Sequence, residues 1–359
     1  MTDRAMRWLM LLIAVISALT LSLKKEEIAA PYKFPKLNSF PEMPVAQDNP
    51  VTNEGVMLGR YLFYDPILSI DSTMSCASCH KQDHAFSDAP HRFSRERNGT
   101  LASRNTMPLF NLAWYPAFFW DGKATTIEQQ IVYPVRSSKE MDLPWKLAAK
   151  RLYKSSFYRP LFFKAFGTYN IDSVLISKAI GQFLRTLISY QSKYDQVLAG
   201  KSLFTNDEYE GFILMNDQTK GDCIHCHYTD GDALGTSLVF SNNGLDAVSD
   251  PQNYKDRGRG DVTGKMADNG KFIVPSLRNL AFTAPYMHDG RFMTLQDVLD
   301  FYSSGVQLCA NIDSKMEYAH QGGVRLTKEE QQKIIAFLLT MSDSAFVTNP
   351  GFSNPFDSQ

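Results

Sequence analysis

Two short stretches, Cys76-Ala77-Ser78-Cys79-His80 and Cys223-Ile224-His225-Cys226-His227, constrain this chain more than anything else in it. Both read C-x-x-C-H, the pattern through which a c-type haem is attached. Two thiols three positions apart can add to the two vinyl groups of one porphyrin, and the adjacent histidine then offers its imidazole to the iron. A haem held by two thioethers cannot dissociate, so a small surrounding fold can keep it. A zinc site would pair its C-x-x-C units closely, whereas these begin 147 residues apart, at 76 and 223. A redox C-x-x-C belongs in a βαβ setting, and none is legible. Four of the five cysteines are used by the two motifs. The expectation is two covalently bound haems c, with His80 and His227 facing the irons.

A chain of 359 residues has material for two domains and an ample core. Its net charge of −1, with no basic run, gives no footing for nucleic acid. Cys309, left over from the motifs, reads as a buried small hydrophobe. Arg4 and Arg7 precede an apolar run from Trp8 to Leu23, so residues 1–23 read as an export segment. That run is short for a membrane span, and no clear small-x-small cleavage site follows it. A cleaved signal and a retained tether through residues 8–23 both stay open. In either case the body lies outside the cytoplasm, in the periplasm.

Residues 24–50 carry Pro31, Pro35, Pro41, Pro44 and Pro50 and read as an extended linker. A first domain is expected over 51–199 and a second over 200–345, with the boundary near Gly200 and a tail over 346–359. Helices are expected from Asn53, over Thr125–Val132, Pro144–Tyr153 and Asp172–Lys193, and from Thr294 to about Tyr302. Two capping boxes, Thr205 with Glu208 and Thr327 with Glu330, open the helix before the second motif and the last helix, Lys328–Met341. Residues 228–271 read as loop, and no strand pattern of period two is convincing. The fold class is all-α: two cytochrome-c-like domains, each carrying one covalently bound c-type haem.

With Arg104-Asn105, Trp120-Asp121-Gly122, Gln130, Pro134, Glu140-Met141 and Thr283-x-Pro285-Tyr286-x-His288-Asp289-Gly290 beside both motifs, residues 51–343 resemble the bacterial di-haem cytochrome c peroxidases. The resemblance implies that the first haem, on His80, reacts with H2O2. The second, on His227, receives electrons from a small donor protein, a cytochrome c or a cupredoxin. Glu140 matches the acid that moves a proton between the peroxide oxygens, with Gln130 beside it. Trp120 matches the residue between the haems. Asn105, Thr283 and Pro285 match positions that hold a calcium ion through oxygen ligands. Relatives dimerise, so a homodimer is a further expectation.

Two departures qualify the resemblance. The second haem of the peroxidases usually takes a Met ligand, and Tyr302 stands where that Met would lie. A tyrosinate stabilises oxidised iron. This resembles the methylamine dehydrogenase maturation enzyme, a relative that oxidises side chains of a partner protein. Met293 and Met316 remain alternative ligands. Secondly, Arg97 stands where many members carry a His that caps the first iron, and His84 or His91 could reach it only through a rearranged loop. The expected consequence is an open first haem. His225 and His320 are assigned no role. The reading is a peroxidase reducing H2O2 to water, against two alternatives: an enzyme oxidising a partner protein, and a plain di-haem electron carrier.

Overall fold

Each half of the chain is built on one close helix crossing, and a glycine sets each. The computed structural model describes residues 29–44, 46–229 and 231–357; the export segment and the start of the linker lie outside the described residues. The elements are α1 (Asn53–Tyr64), α2 (Ile127–Arg136), α3 (Trp145–Lys154), α4 (Tyr158–Phe166), α5 (Ser173–Thr186), α6 (Lys193–Leu198) and α7 (Asn206–Asn216). They continue with β1 (Phe240–Ser241), α8 (Arg259–Thr263), β2 (Phe272–Ile273), α9 (Leu295–Ser304), α10 (Lys328–Leu339) and α11 (Ser344–Val347).

Helix α1 starts where the Thr52 hydroxyl accepts the Gly55 N–H, and it buries Leu58, Leu62 and Phe63 along one stripe. It crosses α5, which Asp172 caps. A Cβ on Gly59 would overlap the Ala179 carbonyl oxygen, so glycine lets the two backbones touch. In the second half α7 crosses α10, and both helices open on the capping boxes expected from the sequence. There a Cβ on Gly211 would overlap the Lys333 carbonyl oxygen. Phe183 and Phe337 lie next to the two glycines in the same relation.

A second correspondence runs through the segments that follow. Asn111 and Asn279 both take left-handed backbone before a short 3₁₀ turn. Phe118 bridges Ala124 around Asp121-Gly122, and Tyr286 bridges Phe292 around Asp289-Gly290. Helices α2 and α9 then begin after Thr126 and Thr294. Every landmark is displaced by 168 residues, from 127 to 295 and from 136 to 304.

The chain is mostly helical but not wholly so: β1 and β2 pair antiparallel, Phe240 opposite Ile273 and Ser241 opposite Phe272. The helix expected over 172–193 stops at Thr186. Beyond it, the Ser189 N–H donates to Asn111 Oδ1, and the N–H groups of Tyr190 and Gln191 donate to Asp343 Oδ2. Side chains distant in sequence thus take donors that a continuing helix would have used, and Ser192 then caps α6. Helix α2 runs beyond Val132, through Pro134, to Arg136. Helix α4 was not foreseen, because its Phe-rich run carries no clean period.

Two features join the halves. Arg278, fully buried, pairs with Asp195 and donates to the Ala233 carbonyl. The tail returns to the first half: Phe346 packs edge-on to Phe86 and Phe110, and Arg60 Nε donates to the Ser353 carbonyl at 2.7 Å.

Candidate active site

Both C-x-x-C-H motifs fold into the same turn. The N–H groups of Cys79 and His80 donate to the Cys76 carbonyl at 3.2 and 3.0 Å, and those of Cys226 and His227 to the Cys223 carbonyl at 3.2 and 2.8 Å. One carbonyl thus gathers two thiols and an imidazole. A hairpin follows the first motif, with left-handed backbone at Ala85 and Phe86, and it places the Phe86 carbonyl 2.7 Å from His80 Nδ1. With Nδ1 donating there, Nε2 is the nitrogen left to bind a metal. His227 Nδ1 faces the Gly235 carbonyl at 3.4 Å. Burial lowers the pKa of both imidazoles, that of His227 to about 4, so each is a neutral donor. Burial also pushes the Cys76 and Cys223 thiols up to about 12, which suits sulfurs committed to a bond rather than to disulfide exchange.

In the second half Cys223, Cys226, His227, Tyr302, Met287 and Met316 line one cavity. Its remaining wall is largely aliphatic, including Leu277, Leu280, Val298 and Val306. Protein interiors are close-packed, so a mostly apolar cavity with two thiols, a neutral imidazole and a phenol on its wall fits a covalently held porphyrin. Tyr302 Oη accepts from Asn243 Nδ2 at 2.9 Å, and burial raises the phenol to about 12. It is a phenol at neutral pH, and a cation held in the cavity would favour its phenolate. Met293, one of the alternative ligands, is 54% exposed and does not line the cavity; Met316 does.

Glu140 lies in the turn that closes α2. That turn folds back so that the Met141 N–H donates to the Pro134 carbonyl at 3.1 Å. Arg97 holds the same turn from outside: its N–H donates to the Lys139 carbonyl, and Nη2 reaches the Ser138 carbonyl and Asp142. Burial raises the Glu140 carboxyl above its ordinary range, and Glu96 adds to this. The charge of Glu140 is felt at both Cys76 and Cys79, so it shares their neighbourhood. Gln130 is half-buried on α2, one turn before Pro134. His91 is exposed and faces Asp88 at 3.3 Å, while His84 stands beside Asp83 at the surface.

Trp120 sits where the halves meet. Its Nε1 donates to the Asn105 carbonyl at 2.8 Å, and its ring meets His288 edge-on at 6.5 Å. His288 stacks on Phe272 at 3.6 Å, and the Arg104 guanidinium lies over Phe272 while bonding Asp121 and Asp256. Asn105, Thr283 and Pro285 also border the second cavity. Asn105 Nδ2 donates to the Arg92 carbonyl at 3.1 Å, which leaves its amide oxygen for a cation. Among the described residues no cluster of three or more His, Cys, Asp or Glu side chains could hold a metal, so any ion there takes amide, hydroxyl and backbone oxygens. The Asn243 contact and the Phe272–His288 stack were not anticipated, since neither Asn243 nor Phe272 belongs to a motif.

The 168-residue correspondence sets the two halves against each other. Gln130 corresponds to Val298, Pro134 to Tyr302 and Trp120 to His288, and past the helix ends at Arg136 and Ser304 the two paths diverge. The first half has an amide, Gln130, where the second has the aliphatic Val298, and it adds Glu140 in the turn past its helix. The second half has a phenol where the first has a proline, which offers no ligand atom. His225 lies 2.8 Å from Asp222, and His320 is exposed, its ring facing the Glu317 carbonyl. Cys309 is buried, as expected.

A profile of the family described as di-haem cytochrome c peroxidase matches residues 53–203. The chain is 32% identical over 306 residues to methylamine utilization protein MauG of Methylophilus methylotrophus, covering 84% of this chain and 87% of that one. It is 33% identical to the cytochrome c551 peroxidase of Nitrosomonas europaea, covering 84% of each. Among solved structures it is similar to a MauG-like protein associated with microbial copper homeostasis, with a TM-score of 0.82 and 32% identity, over 90% of this chain and 99% of that one.

Proposed function

The chain belongs to the di-haem cytochrome c peroxidase family, and from that premise we propose that it is a periplasmic enzyme that reduces H2O2 to water, with two electrons and two protons consumed per peroxide and the electrons drawn from a small redox protein. Cys76, Cys79 and His80 hold one haem c, and Cys223, Cys226 and His227 the other. Once bound, the haems supply one-electron chemistry at iron and the means to cleave an O–O bond.

The protein's own part is proton handling and orientation. Glu140, ionised, takes the proton from one peroxide oxygen and returns it to the other as that oxygen departs. Gln130 orients the peroxide by hydrogen bonding. The Trp120 indole, fixed by the Asn105 carbonyl, lies where it connects the two haem-holding halves. Calcium is proposed on the oxygens of Asn105, Thr283 and Pro285, which border that junction.

The observation that carries this reading is the buried Glu140 carboxyl beside the first C-x-x-C-H motif, with Pro134 there where the second half has Tyr302. The test is Glu140→Gln. Haem content is expected to stay intact while peroxide turnover falls by about 10² or more; unchanged turnover removes Glu140 from the mechanism.

Tyr302 favours a second reading, in which the oxidising equivalents are spent on residues of a partner protein. A phenolate ligand holds iron oxidised, and one similar protein is named for methylamine utilization. Among the described residues no helix is long and apolar enough to cross a membrane, and the tether over 8–23 lies outside them.

A further inference from the structure

Between Leu143 and Ile171 the chain has six cations, Lys146, Lys150, Arg151, Lys154, Arg159 and Lys164, and no acidic residue. The chain as a whole is balanced at −1, so the bias is local. Arg151 is spent on structure, donating to the carbonyls of Ile67, Ser69 and Ile70. The other five are exposed and make no ion pair among the described residues.

A solvated basic face would account for the lysines but not for what lies among them. Tyr153, Phe157, Phe163 and Tyr169 are each 39–50% exposed on the same two helices and the loop after them. The rings are ordered. Phe163 stacks on Tyr169 with centroids 4.5 Å apart and planes 15° off parallel. The Arg159 guanidinium lies 5.4 Å from the Tyr153 ring and 5.0 Å from the Tyr169 ring. Ala149, Lys150 and Tyr153 of α3 face Tyr169, Asn170 and Ile171 across a shallow groove. Contiguous exposed aromatic surface on a soluble domain marks an interaction site, and aromatic rings with Arg are the side chains enriched in such sites.

We propose that the α3–α4 face, with Arg159 and Lys150 at its groove, docks an acidic segment of a partner protein. The inference deepens the proposed function, on which it rests for the partner's role, by giving that partner a chemistry: carboxylates flanking an apolar or aromatic side chain. An anionic bilayer carries the same charge but has nothing that enters a groove. The face also lies away from the chain's entry. The Ala30 N–H bonds Glu54 in the first turn of α1, while Tyr158 at the start of α4 bonds Asp65 just past its last turn. Twelve residues of helix separate those ends by roughly 18 Å.

The test uses the full di-haem protein and two probes, a random Glu/Tyr copolymer and vesicles of phosphatidylglycerol with phosphatidylcholine. The copolymer is expected to bind, more weakly as salt rises, and the double variant K150E/R159E to weaken it about tenfold or more. Peroxide turnover with a small-molecule reductant is expected to be unchanged in that variant. Binding that ignores the double substitution overturns the proposal, as does failure to bind the copolymer. Vesicle binding lost in the double variant would make the face a membrane surface instead. Absence of peroxide turnover in the unsubstituted protein would sink the proposed function and leave the docking result to be read by itself.

Discussion

Glu140 owes its chemistry to its surroundings. Burial raises its carboxyl, and a raised carboxyl is protonated to a higher pH than an ordinary one. In the proposed mechanism Glu140 is ionised to accept the first proton, so turnover should rise with pH through a limb lying above about 4.3, the ordinary Glu value. Glu140→Gln should flatten that limb, and a limb that survives the substitution belongs to another group. Arg97 bonds the turn over 138–142 and so holds Glu140 in place. Arg97→Ala should slow turnover about tenfold, and should cost nothing further in a protein already carrying Glu140→Gln; full additivity would separate the two residues. Tyr302→Met should make the second haem easier to reduce, because a phenolate favours oxidised iron and a thioether does not. A redox titration of that haem unchanged by the substitution would remove Tyr302 from the iron.

At the scale of elements, the glycine crossings show what was legible and what was not. The haem motifs, the capping boxes and the helices they open could be read directly, because each rests on residues close in sequence. Gly59 and Gly211 could not, because their partners Ala179 and Lys333 are more than a hundred residues away. The end of α5 at Thr186 was hidden for the same reason: Asn111 and Asp343 decide it. Within the site, Cys76, His80, Cys223 and His227 were plain from spacing, and Glu140 and Tyr302 came through the family resemblance. Asn243 was invisible, lying in a glycine- and asparagine-rich loop without period. Gly211→Ala tests the crossing. Added methyl groups in a packed contact cost about 1–3 kcal/mol, which should exceed the roughly 1 kcal/mol that alanine gains over glycine in a helix. The urea midpoint should therefore fall; a rise would mean that the helices can part without loss.

For the whole molecule, the repeats give two similar helical frames with unlike contents, joined through Trp120 on His288, Arg104 on Asp256 and the buried Arg278–Asp195 pair. The tail, packed against Phe86 and Phe110, ties the end of the chain to the half that carries Glu140. The central claim is that this half meets peroxide with no protein ligand in the way, since Pro134 offers none and His84 and His91 stand at the surface. The direct measurement is rapid mixing of the fully oxidised di-haem protein with one equivalent of H2O2, followed through the haem absorption bands. The account predicts an immediate change without prior reduction. Spectra that stay still until one electron is supplied would contradict it, and would place a histidine on the first iron.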